Sequence, residues 1–167
     1  MPLDYESTQS RLPSAGADVL AAGEPPWEKR FDANLGPFAH MLMNALVVED
    51  SPRISERLVE LVSIPGQVEV VATADTESAA TQACNAHDID LAIVDLQLAE
   101  GTGFGVIRAL REAGRQRHAC IVVLTNHAVP ALRNAAFEAG ADYFLDKSKD
   151  FATLPQLIDQ LLAGRKN

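Results

Sequence analysis

Apolar residues fall along the chain in short runs, unbroken save for Glu69 and Thr73 in the second, each ending on polar residues and each followed by helical spacing. Ala45 to Val48 leads to Glu49-Asp50, Val68 to Ala74 to Asp75-Thr76, and Leu91 to Val94 to Asp95. Ala119 to Leu124 leads to Thr125, and Tyr143 to Leu145 to Asp146-Lys147. Runs without alternation suit strands covered on both faces, as in a parallel sheet. After the first run, Ile54, Leu58, Leu61 and Val62 mark one face of a helix. It starts at Ser51-Pro52, an N-cap followed by proline at the first helical position, and stops at Pro65-Gly66. Asp75 or Thr76 can cap an alanine-rich second helix that runs to Ala86. A third helix carries Phe104, Val106, Ile107 and Leu110 and closes at Gly114. A fourth begins at Pro130, carries Leu132, Ala135, Ala136 and Ala139, and ends at Gly140; the last carries Leu154, Leu157, Ile158, Leu161 and Leu162. Strands alternating with helices are the mark of parallel βαβ units. The pattern therefore predicts one doubly wound α/β domain over residues 44–167, built on a parallel five-stranded sheet.

Residues 1–43 read differently. Pro2, Pro13, Pro25, Pro26 and Pro37 stand among Ser, Ala and Gly with no sustained period, the composition of a poorly ordered extension. Trp27, Phe31 and Leu35, spaced i, i+4, i+8, offer a short helix with an apolar stripe as the alternative. Met41 and Met43 are rival translation starts.

Of the 167 residues, 47% are hydrophobic, enough for a real core, and the formal net charge of -9 argues against a nucleic-acid partner. Cys84 and Cys120 match no metal or redox spacing and read as buried small hydrophobes, a usage that fits a reducing compartment. No stretch approaches the ~20 apolar residues of a membrane span. Asp4 and Glu6 stand where a signal peptide would be basic. The expectation is a cytoplasmic protein with no membrane partner.

In a parallel sheet all carboxyl ends share one edge, where open α/β sheets place their ligands. Glu49, Asp50, Asp95, Thr125 and Lys147 would then meet at one rim. Two like charges about 4 Å apart cost on the order of 4 kcal/mol at an effective dielectric near 20, so crowded carboxylates need an offsetting charge. Oxygen-only ligands with open positions suit Mg²⁺. Carboxylate, Mg²⁺, hydroxyl and ammonium together fit the oxygens of a phosphoryl group in transfer.

These residues carry a resemblance. Val48-Glu49-Asp50-Ser51, Ile93-Val94-Asp95-Leu96-Gln97-Leu98, Gly101-Thr102-Gly103, Leu124-Thr125 and Gly140-Ala141-Asp142-Tyr143-Phe144-Leu145-Asp146-Lys147 resemble the receiver domain of two-component response regulators, over residues 45–163. The resemblance implies a flavodoxin-like (βα)5 fold with strand order 2-1-3-4-5. It implies that Asp95 accepts a phosphoryl group from a sensor histidine kinase or histidine phosphotransfer protein. Asp50 would bind Mg²⁺ directly, Glu49 mainly through water, and Gln97 through its backbone carbonyl. Thr125 and Lys147 would contact the phosphoryl oxygens, and Phe144 would be the switch aromatic that turns inward as Thr125 moves. The fourth helix, fifth strand and fifth helix would form the reporting face and a dimer surface. Ala99 and Ser148 depart from the family, standing where prolines are usual; losing the second removes a cis peptide bond and leaves the loop after Lys147 freer or differently set.

The implied function is that of a single-domain response regulator, regulatory rather than enzymatic. Two rivals remain: a receiver-like adaptor that binds its partner whether or not Asp95 is modified, and a small phosphatase of the haloacid dehalogenase type. The latter family expects a second Asp two residues after the nucleophile, where Gln97 stands. His127 could edge the pocket but reads better as a solvated loop residue, and His40, His87 and His118 show no ligand spacing.

Overall fold

The computed structural model describes residues 18–19, 42–112 and 118–165. Its elements are β1 (Asp18–Val19), β2 (Met43–Val48), α1 (Pro52–Val62), β3 (Val68–Ala74), α2 (Glu77–Ala86), β4 (Leu91–Val94) and α3 (Gly103–Glu112). They continue with β5 (Cys120–Thr125), α4 (Pro130–Ala139), β6 (Tyr143–Asp146), a 3-10 turn (Phe151–Thr153) and α5 (Leu154–Arg165). The sheet order is β1-β6-β5-β4-β2-β3. Strands β3, β2, β4, β5 and β6 are parallel. Counted among themselves they run 2-1-3-4-5, the flavodoxin-like order.

The unalternating runs bury both faces of the sheet. Ala45, Val47, Leu91, Ile93, Val122, Leu124 and Leu145 pack on one side against Leu58 and Val62 of α1 and Leu154, Leu157, Ile158, Leu161 and Leu162 of α5. Leu46, Val48, Ala92, Val94, Ile121, Val123 and Phe144 pack on the other against Ala80 and Cys84 of α2, Val106, Ile107 and Leu110 of α3, and Ala136 of α4. Every apolar residue assigned to α5 is buried, whereas on α4 only Ala136 is. Both cysteines are buried and neither forms a disulfide.

The caps follow the sequence. Ser51 Oγ accepts from Ile54 N–H before Pro52, Thr76 Oγ1 rather than Asp75 accepts from Ala79 N–H, and Gly140 closes α4 at φ 117°. Gly114 lies outside the described residues, as does the stripe of Trp27, Phe31 and Leu35. The pattern predicted no strand in the leader. Asp18 and Val19 nonetheless pair antiparallel with Phe144 and Tyr143, on the outer edge of β6.

One buried ion pair ties the second layer to the sheet. Arg111 of α3 donates to Asp142 Oδ2 at 2.8 Å and to the carbonyls of Gly140 and Ala119. Asp142 Oδ2 also accepts from Ile121 N–H. Burial pushes the Asp142 carboxyl above the usual carboxylate range, although Arg111 and the Ile121 amide pull it back. Arg111→Met should therefore cost about 3 kcal/mol at neutral pH, because the remaining carboxylate is left buried without its cation. A folded-state pKa raised further above the unfolded value makes the variant recover as pH falls through that interval. Urea unfolding across pH checks both: the deficit should narrow in acid.

Candidate functional site

The carboxyl ends of β2, β4, β5 and β6 gather the polar residues at one rim. Glu49 and Asp50 follow β2, Asp95 follows β4, Thr125 ends β5 and Lys147 follows β6. Glu49 is 3% exposed, Asp95 7% and Thr125 fully buried, while Asp50 faces solvent. One carboxylate oxygen from each of Glu49, Asp50 and Asp95 lies within 4.8 Å of the others.

Lys147 holds this cluster together. Its Nζ donates to Asp95 Oδ2 at 2.7 Å and to Glu49 Oε2. Burial pulls the ammonium pKa down, but the hydrogen bonds to Asp95 and Glu49 and their charges outweigh it, so the value stands above that of an ordinary lysine. Burial likewise lifts Glu49 above the usual carboxylate range, against the pull of Lys147 and of the Ser51 N–H that donates to Oε1 at 3.1 Å. Outside the acid pair, a cleft of about 390 Å³ is bordered by Glu49, Asp50, Ser55, Glu56, Thr73 and Asp75.

Neighbouring backbone fixes the other members. Gln97 N–H donates to Asp95 Oδ1 at 3.2 Å, and its exposed side chain leaves the backbone as its contribution to the rim. Lys147 N–H donates to Thr125 O at 3.0 Å, joining the ends of β5 and β6, and Thr125 Oγ1 accepts from His127 N–H at 3.3 Å. The His127 side chain is exposed, as its solvated reading requires, and His87 is exposed too. Phe144 is buried one layer back, its ring 6.5 Å from that of Phe137. It also borders a cavity of about 190 Å³ with Ala128, Pro130 and Arg133. Side chains of Glu49, Asp50, Asp95 and Lys147 thus meet at the rim, and Gln97 and Thr125 are tied to it by hydrogen bonds to Asp95 and Lys147.

The region most similar to known proteins covers this whole construction. The family model of the response regulator receiver domain matches residues 45–159. The chain belongs to that family. Among curated relatives, the nitrate/nitrite response regulator protein NarP of Escherichia coli is 31% identical over 72% of this chain and 54% of its own length. The photosynthetic apparatus regulatory protein RegA of Rhodovulum sulfidophilum is 36% identical over 63% of this chain and 55% of its own. The chain thus spans about half the length of these relatives. Of solved structures, a LuxR-family two-component response regulator from Aurantimonas sp. superposes with a TM-score of 0.65 at 31% identity, covering 75% of this chain and 88% of that one.

Receiver domains are regulatory, and their acidic pocket binds Mg²⁺; the Glu49, Asp50 and Asp95 oxygens are the donor set such a hard cation takes. Among the described residues no helix is long and apolar enough to cross a membrane. The residue that the sequence did not single out is Glu77. Its only signal was a carboxylate at the first position of α2, yet its side chain reaches the loop after Asp95.

Because Lys147 faces two buried carboxylates, Lys147→Met should destabilise the domain by about 3 kcal/mol in metal-free buffer. Adding Asp95→Asn should return part of that loss, a non-additivity that urea unfolding of the two single variants and the double variant would measure.

Proposed function

We propose that this receiver domain accepts a phosphoryl group on Asp95 from the phosphohistidine of a sensor kinase or phosphotransfer protein, and that the modification alters a protein-binding face. The observation that carries the reading is the Lys147 ammonium, 2.7 Å from Asp95 Oδ2 within a three-carboxylate cluster. A lysine with a raised pKa stays charged at neutral pH. It can therefore leave the Asp95 carboxylate and pair with phosphoryl oxygens without a change of protonation.

Glu49, Asp50, Asp95 and the Gln97 carbonyl would hold Mg²⁺, which supplies positive charge to the phosphoryl oxygens. An Asp95 oxygen attacks phosphorus as the bond to the imidazole nitrogen breaks; the leaving imidazole carries that electron pair. Lys147 and the Thr125 hydroxyl donate to the transferred group. The hydroxyl can donate while its oxygen still accepts from the His127 N–H, so a shift of Thr125 toward the phosphoryl group would carry the turn after β5 with it.

That movement is the route outward. Phe144, on β6, has its ring 6.5 Å from that of Phe137 of α4 and shares its cavity with Ala128 of that turn and Pro130 at the start of α4. A shift of Thr125 changes the packing available to Phe144, and so the face formed by α4, β6 and α5, through which the domain would meet its target or a second copy. The reading assigns residues 44–167 to the receiver domain and 1–43 to an extension, and places the protein in the cytoplasm beside its phosphodonor.

A swing from 1:99 to 99:1 between states needs about 5.5 kcal/mol of differential stabilisation. The test is phosphotransfer from candidate kinases, with beryllofluoride and Mg²⁺ followed by NMR. Wild type should take up label and shift the Thr125 and Phe144 signals, and Asp95→Asn should do neither. Equal partner affinity for the two proteins in the presence of phosphodonor would favour a phosphorylation-independent adaptor.

A further inference from the structure

Glu77 lies outside the cluster of phosphoryl and metal contacts, yet it grips the loop that follows Asp95 from both sides. Its backbone N–H donates to Glu100 O at 3.0 Å, and its Oε2 accepts from Thr102 N–H at 2.8 Å. The two bonds clasp Gly101 between them. Thr76 and Glu100 form a parallel bridge at the same point.

The grip leads back to the acceptor. Thr102 is bridged antiparallel to Gln97, Gly103 N–H donates to Leu96 O at 3.0 Å, and Gln97 N–H donates to Asp95 Oδ1. Thr102 also stands immediately before α3, where a carboxylate is favoured by the positive end of the helix dipole. The side chain fits only because two neighbours lack a Cβ. An added Cβ at Gly101 would lie 2.4 Å from Glu77 Cβ, and one at Gly105 would lie 2.0 Å from Glu77 Oε1.

We infer that Glu77 is a positioning residue: through Thr102 and Gln97 it fixes the backbone that orients the Asp95 carboxylate and the Gln97 carbonyl. The inference rests on the phosphoryl-acceptor reading of the site and names a residue that regulates it. Without the grip the Leu96–Thr102 loop samples more conformations, and the cation meets a less organised set of oxygens.

Two substitutions separate this role from a merely structural one. Glu77→Gln loses the charge but keeps a carbonyl acceptor for Thr102 N–H, whereas Glu77→Ala loses both. A third variant, Gly105→Ala, leaves Glu77 in place but pushes its carboxylate away, while favouring the helix by propensity. Calorimetric titration with Mg²⁺ should give an affinity about fivefold weaker for Glu77→Ala and for Gly105→Ala, the size of one lost hydrogen bond. Glu77→Gln should stay within about twofold of wild type, as expected where the acceptor matters more than its charge. Amide exchange at Thr102 and Gln97 should speed up in the same two variants and not in the Gln variant.

Wild-type affinity and exchange in Glu77→Ala would overturn the inference. So would equal losses in the Gln and Ala variants, which would assign the effect to the helix dipole alone. Failure of wild type to take up label from any phosphodonor would count against the proposed function instead; the exchange at Thr102 and Gln97 would still decide whether Glu77 holds the loop.

Discussion

A single ammonium group sets the terms for this domain. Lys147 sits at the end of β6 and reaches two buried carboxylates that belong to other strands, Glu49 after β2 and Asp95 after β4. Burial makes the Glu49 carboxyl resist ionisation, with a smaller push from the charge of Asp95. The parallel sheet forces them together, because every strand delivers its last residue to the same edge. Lys147 makes that crowding tolerable, and a divalent cation brought to the same oxygens would share its work. The Asp95 oxygens are contested from two directions, Oδ2 by the Lys147 ammonium and Oδ1 by the Gln97 N–H.

Precision at such a rim depends on the backbone behind it. Lys147 N–H on Thr125 O and Asp95 N–H on Val48 O extend the ladder one step past the strands, so the rim side chains leave from regular structure. Gly103 permits an equally close approach on the loop side, since a Cβ there would fall 2.2 Å from Asp95 O. The strand ends at the site are therefore held by main chain, while side-chain bonds made by Lys147, Thr125 and Glu77 link them to one another and to the loop.

Much of this was legible in the chain. Runs such as Ala45 to Val48 and Leu91 to Val94 announced strands buried on both faces, and the polar residue after each run announced the rim. Ser51-Pro52 and Gly140 marked helix ends because their chemistry is local. Strand order was not legible from periodicity, since no local pattern states which strand lies beside which; it came only through the resemblance. Glu77 and the Arg111–Asp142 pair escaped notice for the same reason. Their partners lie 25 and 31 residues away, and a lone charged residue on a helix looks like a solvated one until the fold brings its partner up. The pairing of Asp18 and Val19 with β6 was hidden in a segment whose composition argues against strands.

The two departures from the family, Ala99 and Ser148, acquire a physical meaning in this light. Proline stiffens a loop mainly by restricting the unfolded chain, whereas a side-chain hydrogen bond acts in the folded state and can open on its own. Around Ala99 the loop is gripped by Glu77. After Lys147, the Ser148 N–H and hydroxyl both donate to Asp146 Oδ1, and Asp150 Oδ2 accepts from Asp146 N–H. The loops after Asp95 and after Lys147 are thus tied by carboxylates rather than stiffened by a ring. Such ties can be loosened one at a time, by a partner's cation or a competing donor. Each tie joins a loop to a neighbouring element or turn, and none belongs to a strand ladder, so the sheet and the two loops are held by separate sets of bonds.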